Sequence, residues 1–96
     1  MIAYDLIGQT PSVLLENFSD ENVKIYAKLE QFNPGGSIKD RLGKYLIEKA
    51  IDEGRLKEGD TIVEATAGNT GIGLAIASNR HKVKCSSFAP HRFAEE

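Results

Sequence analysis

An α/β fold with a parallel sheet is the class this sequence predicts, and three observations predict it. Strand-like and helix-like segments alternate along the chain. Glycine-rich turns stand at two strand-to-helix junctions. The 96 residues, with 41% hydrophobic and 27% charged side chains, have the composition of an ordinary globular domain or part of one. The expected arrangement is a parallel βαβαβ segment preceded by a β-hairpin, its parallel strands joined by right-handed crossovers.

The hairpin comes first. Residues 12–16 and 23–30 read as strands, the second alternating apolar Ile25, Ala27 and Leu29 with polar Lys24, Lys28 and Glu30. The turn formers of residues 17–22 join them. Asn33-Pro34-Gly35-Gly36 then breaks the chain, and Ser37 is placed to cap a helix, with Asp40 three positions on as a variant capping box. Ile38, Leu42, Leu46 and Ala50, with Tyr45 beside them, predict the inward face of that helix. Gly54 is its expected C-terminal stop. Residues 61–64 read as a short buried strand. A second glycine turn, residues 67–71, opens a small-residue helix at 72–78, and residues 83–89 read as a further strand ended by Pro90. Phe93-Ala94-Glu95-Glu96 resembles the first turn of another helix. A parallel sheet needs cover on both faces, so the expectation is a segment cut short.

Charge and composition narrow the function classes. A formal net charge of -2 offers no basic footprint for nucleic acid or a membrane surface. No apolar run approaches the roughly 20 residues of a membrane span, and residues 1–5 lack the basic and apolar regions of a signal peptide. The expected compartment is the cytoplasm. The single cysteine, Cys85, allows no internal disulfide and reads as a partly buried thiol. His81 and His91 have no ligand cluster at metal-binding spacing.

Two readings stand for the glycine turns, glycine that permits tight packing and a ligand site. In open parallel sheets, ligands bind beyond the carboxyl ends of the strands, and helix N-termini can hold phosphate or carboxylate. Gly68, Gly71 and Gly73 run G-x-x-G-x-G, which is not the dinucleotide fingerprint, and Gly35-Gly36-Ser37-Ile38-Lys39 lacks P-loop spacing. Lys39 is out of place: it occupies a first helical turn, where the macrodipole disfavours a cation by about 0.3–1 kcal/mol. On the residues alone two readings stand, a lysine whose stem carries its charge into water and a nucleophilic amine aimed at a carbonyl. Asp40 and Arg41 read as a helix-start acid and a solvent ion pair. Asn69 reads as a helix cap or as an amide offered to a ligand; Thr66 and Thr70 could bond only to local backbone.

Four ordered motifs carry a resemblance that covers essentially the whole chain. Ile7-Gly8-Gln9-Thr10-Pro11, Tyr26-Ala27-Lys28-Leu29-Glu30, Asn33-Pro34-Gly35-Gly36-Ser37-Ile38-Lys39-Asp40-Arg41 and Glu64-Ala65-Thr66-Ala67-Gly68-Asn69-Thr70-Gly71-Ile72-Gly73 together resemble the start of the cysteine synthase / cystathionine β-synthase family, the fold-type II pyridoxal-phosphate enzymes. The resemblance implies a β-replacement on an activated serine, with a sulfur nucleophile and a small amino acid as partners and a homodimer for the full-length enzyme. It makes Lys39 the imine-forming lysine and the base for the α-proton. It makes Thr66, Ala67, Gly68, Asn69 and Thr70 the loop that grips the substrate carboxylate, with Asn69 also bonding the cofactor's 3′-hydroxyl. Ala67 stands where many members carry serine and points to the O-acetylserine-dependent cystathionine β-synthases. Ser12, where leucine is common, is a second departure.

The resemblance also implies what these residues omit. The family's phosphate-binding loop and the residue facing the pyridine nitrogen fall beyond position 96. Residues 1–31 correspond to a hairpin that joins the second domain, and residues 32–96 to part of the amino-terminal α/β domain. The expectation is thus the amino-terminal part of such an enzyme, inactive by itself. The alternative from another class is a non-catalytic truncated remnant or binding module.

Overall fold

The computed structural model describes residues 1–65 and 68–87. After a short 3-10 turn at Ala3–Leu6, strands β1 (Ser12–Leu14) and β2 (Tyr26–Lys28) form an antiparallel hairpin. Helix α1 (Lys39–Asp52), strand β3 (Thr61–Glu64), helix α2 (Asn69–Arg80) and strand β4 (Lys84–Ser87) follow. β3 and β4 pair in parallel, with Thr61 opposite Lys84 and Glu64 opposite Ser87, so β3-α2-β4 is a β-α-β unit.

The hairpin forms where the period-two pattern placed it, with Val13 opposite Ala27. Both strands are shorter than the pattern, and β1 is exposed along its length while β2 half-buries only Ala27. β2 pairs with β1 and not with the parallel strands. Among the described residues the α/β part is therefore α1 packed beside a single β-α-β unit, with the hairpin as a separate two-stranded sheet.

α1 shows a correction. The stripe Ile38, Leu42, Leu46 and Tyr45, expected to face inward, is exposed. The buried positions are Asp40, Gly43 and Ile47, with Ala50 and Ile51 half-buried at the C-terminal end. Spacings of three and four to Ile47, with Ala50 and Ile51 three and four residues beyond it, keep this a helical face, but its first half is small or polar, so large-residue periodicity selects the wrong side. The cause is the approach to α2. A Cβ on Gly43 would lie 2.7 Å from Leu74 N and closer still to Gly73 C and O. One on Gly73 would lie 2.8 Å from Lys39 C and closer to its carbonyl oxygen. The two helices cross backbone to backbone, as only glycine permits.

The end of α1 is the glycine stop expected. Gly54 adopts φ +76°, Gly54 N–H donates to Ile51 O at 3.0 Å, and Arg55 N–H donates to Ala50 O at 2.9 Å. That bond pair is the Schellman arrangement. It turns the chain so that Leu56 enters the core with Tyr4, Ile7, Ile47, Ala77 and Val83. Tyr4 fixes the N-terminal turn to both helix ends: its hydroxyl donates to Glu48 Oε2 and lies 3.2 Å from His81 Nε2. Burial first, then Glu48, raises the Tyr4 phenol above its ordinary value. Among the described residues no helix is long and apolar enough to cross a membrane.

Candidate active site

The turn before α1 is built by side chains that bond backward. Gly36 N–H donates to Asn33 O at 2.8 Å, closing a turn through Pro34 and Gly35, and Gly36 takes φ +89°, a conformation glycine adopts without strain. Asn33, 4% exposed, is the hub. Its Oδ1 accepts from Gly8 N–H at 2.8 Å, and its Nδ2 donates to Glu30 O, Glu30 Oε1 and Ser37 O at 3.0, 3.1 and 3.0 Å. Asp40, 0% exposed, accepts from Gly35 N–H through Oδ2. A Cβ on Gly35 would crowd that carboxylate and meet Ile76 Cδ1 at 2.9 Å. Ser37 Oγ accepts from Lys39 N–H at 3.1 Å, from one residue before the N-cap position, which Ile38 holds without a side-chain cap bond. The reciprocal half of the expected capping box is absent, because Asp40 is turned to Gly35.

Arg41 is not a simple solvent pair. Its Nε and Nη2 donate to Glu30 Oε1 and Oε2 at 2.6 and 3.1 Å, a two-pronged pairing. The same Nη2 reaches Gly8 O at 3.1 Å and Thr10 Oγ1 at 3.2 Å, and Thr10 Oγ1 donates to Glu30 Oε2 at 2.7 Å. Arg41 first, then Thr10, holds the Glu30 carboxyl down at about 2, and Glu30 in turn raises the Arg41 guanidinium. Five residues distant in sequence thus hold the turn that ends in Lys39.

Lys39 is the first residue of α1 and its side chain is exposed; among the described residues it makes no ion pair. Its carbonyl lies against Gly73 of α2. Asn69 begins α2 four residues earlier, about 6 Å along the helix axis at 1.5 Å per residue. Gly68, at φ +85°, holds the N-cap position, so Asn69 sits one place inside the helix and does not cap it. That leaves its exposed amide for another partner. Thr70 is half-buried in the same turn. The glycine crossing therefore packs the Lys39 backbone against Gly73, one helical turn along α2 from Gly68, Asn69 and Thr70, the part of the predicted substrate loop that lies within the described residues. Thr66 and Ala67 lie outside the described residues.

The site chemistry is a primary amine at the head of α1 and, one turn from where its backbone meets α2, a helix N-terminus whose first N–H groups lack intrahelical acceptors and attract negative charge. An unpaired exposed amine can bond covalently to an aldehyde, and the helix start suits a carboxylate. These residues fit a pyridoxal cofactor at Lys39 and an amino-acid carboxylate at α2. Residue-by-residue reading did not find Asn33, Glu30 and Thr10 as scaffolding. The signal was a buried-polar set spread over residues 8–41, which only the fold assembles.

A family model described as pyridoxal-phosphate dependent enzyme matches residues 3–96. The chain belongs to this family. It is 54% identical over 93 residues to the O-acetylserine dependent cystathionine beta-synthase of Bacillus subtilis, covering 96% of this chain and 30% of that protein. It is 50% identical over 92 residues to a cysteine synthase of Staphylococcus aureus, covering 95% of this chain and 30% of that one. The crystal structure of cystathionine beta-synthase from Bacillus anthracis superposes with a TM-score of 0.81 at 52% identity, over 96% of this chain and 36% of that one. The likeness to these solved enzymes confirms the α/β class and its partial fold-type II character. The chain spans about a third of the length of the relatives it matches.

Proposed function

We propose that this chain supplies the lysine and substrate-carboxylate part of a pyridoxal-phosphate-dependent β-replacement enzyme, one that makes cysteine or cystathionine from O-acetylserine or serine and a sulfur nucleophile. The observation that carries the reading is Lys39: an exposed amine without an ion pair at the head of α1, whose backbone packs on Gly73 of α2, one helical turn from Asn69. Bound pyridoxal phosphate supplies an electron sink for charge developing at the substrate α-carbon. Lys39 would hold the cofactor through its amine, and its Nζ would take the proton from the substrate α-carbon and return it there. Asn69 orients the cofactor ring through its amide. Thr66, Ala67, Gly68, Asn69 and Thr70 hold the substrate carboxylate with main-chain N–H groups at the start of α2.

O-acetylserine as donor is supported by the name of the Bacillus subtilis relative and by Ala67, which stands where a serine hydroxyl is common. Residues 1–31 are assigned to a second domain in this proposal, and residues 32–96 to the cofactor-binding domain; the largely exposed hairpin supports that division, whereas Tyr4 and Ile7 pack in the core with Ile47, Ala77 and Val83. The functional enzyme is a homodimer.

The 96 residues taken alone bind the cofactor weakly and do not turn over, because they make up about a third of the relatives' length. A non-catalytic role is favoured for them in isolation by the same fact. Titration with pyridoxal phosphate, followed by absorbance and by a β-replacement assay, tests this. Weak, unsaturated binding without product agrees with the proposal; a saturable enzyme-like chromophore with turnover overturns it.

A further inference from the structure

Both polar groups of one peptide segment are held by residues on either side of Lys39. Gly8 N–H donates to Asn33 Oδ1 at 2.8 Å, six residues before the lysine, and Gly8 O accepts from Arg41 Nη2 at 3.1 Å, two residues after it. Gly8 has φ +84°, and a Cβ there would press on Arg41 Nη1 at 3.2 Å, so the approach is close and suited to glycine. Glu30 locks the two clamps together, taking Asn33 Nδ2 and the Arg41 guanidinium on the same carboxylate. Asn33 also holds Ser37 O, inside the run that leads to Lys39.

We infer that Asn33 and Arg41 are positioning residues for Lys39, which fix the turn carrying the amine by gripping the Gly8 backbone from both sides. The inference rests on the proposed role of Lys39 and adds how its geometry is set. Neither side chain bonds the first N–H groups of α1, one of which donates to Ser37 Oγ, and the packing partner of α1 is α2. A buried amide satisfied at both ends restricts motion strongly, since removing it leaves Gly8 N–H and Ser37 O without their partner. The N-terminal segment thereby acts as a fixed post for a catalytic turn more than 20 residues away in sequence.

The test compares Asn33→Ala and Arg41→Ala with Val83→Ala, a core change remote from the turn, in the full chain. One readout is amide hydrogen exchange. The first two variants should accelerate exchange at Gly8 and across residues 35–39 by about tenfold, the equivalent of one buried hydrogen bond, with α2 and β3 changed far less. The second readout is the share of label on Lys39, against Lys49 and Lys57 in the same molecules, after pyridoxal phosphate and borohydride. It should fall several-fold in both variants and hold in Val83→Ala. Uniform acceleration over the whole chain, or an unchanged Lys39 share, overturns the inference. A wild-type chain with no preference for Lys39 overturns the proposed function instead, and the exchange readout still decides whether the clamp fixes the turn.

Discussion

Replacing Gly43 with alanine tests the helix crossing that builds the site. The new methyl would lie 2.7 Å from Leu74 N and closer to Gly73 C and O, where ordinary contact needs about 3.5–4.0 Å. The obstructing atoms are backbone, so no rotamer change relieves them, and α1 and α2 must separate by about 1 Å or more. Overpacking of this kind costs about 1–3 kcal/mol, and backbone obstruction places it at the upper end. Alanine's better helix propensity returns about 1 kcal/mol. The net expectation is a loss of about 1–2 kcal/mol, which for a chain of this size lowers the thermal midpoint by roughly 4–15 °C. Urea unfolding followed by circular dichroism should show a lower midpoint at unchanged slope. The opposite sign refutes the reasoning: at an exposed helical glycine the same substitution stabilises, so a neutral or more stable Gly43→Ala means that the helices do not meet there.

Two further outcomes follow from the polar contacts. Glu30, held at about 2 in the fold against an ordinary value near 4.5, stabilises fully above the ordinary value, and that contribution is lost as pH falls from about 4.5 toward about 2. Urea midpoints measured across that window should fall more for the wild type than for Glu30→Gln; parallel falls would remove Glu30 from the account. Tyr4→Phe, which leaves Glu48 without the phenol, should cost about 0.5–1.5 kcal/mol by urea unfolding, and a variant as stable as wild type would show that the bond contributes nothing.

Local pattern made the hairpin, the position of β3 and the glycine stop of α1 legible, because each depends on neighbours in sequence: alternation at Ile25, Ala27 and Leu29, the Ile62-Val63 pair, and a positive φ at Gly54. The burial expected of β3 holds only for Glu64, with Val63 74% exposed. The buried face of α1 was not legible. Its contact with α2 is made by Gly43, which has no side chain to signal burial, and by Asp40, whose charge signals exposure. Whether β2 also joins the parallel sheet was hidden for a related reason, since alternation shows that a strand has two faces but not every neighbour it takes. At the site, the four motifs pointed to Lys39 and Asn69; the structure puts each at the first residue of its helix and packs the Lys39 backbone on Gly73, one turn from Asn69. The clamp of Asn33, Glu30 and Arg41 around Gly8 closes over more than 30 residues of chain and exists only once the fold has brought those polar groups together.

The central claim is that Lys39 is the cofactor lysine. Pyridoxal phosphate is added to the folded chain, the product is reduced with borohydride, and the labelled lysines are mapped by mass spectrometry. The account predicts label concentrated on Lys39 well beyond that on the equally exposed Lys49 and Lys57, with the excess abolished in urea. Label spread evenly over the exposed lysines, folded or unfolded, would contradict it.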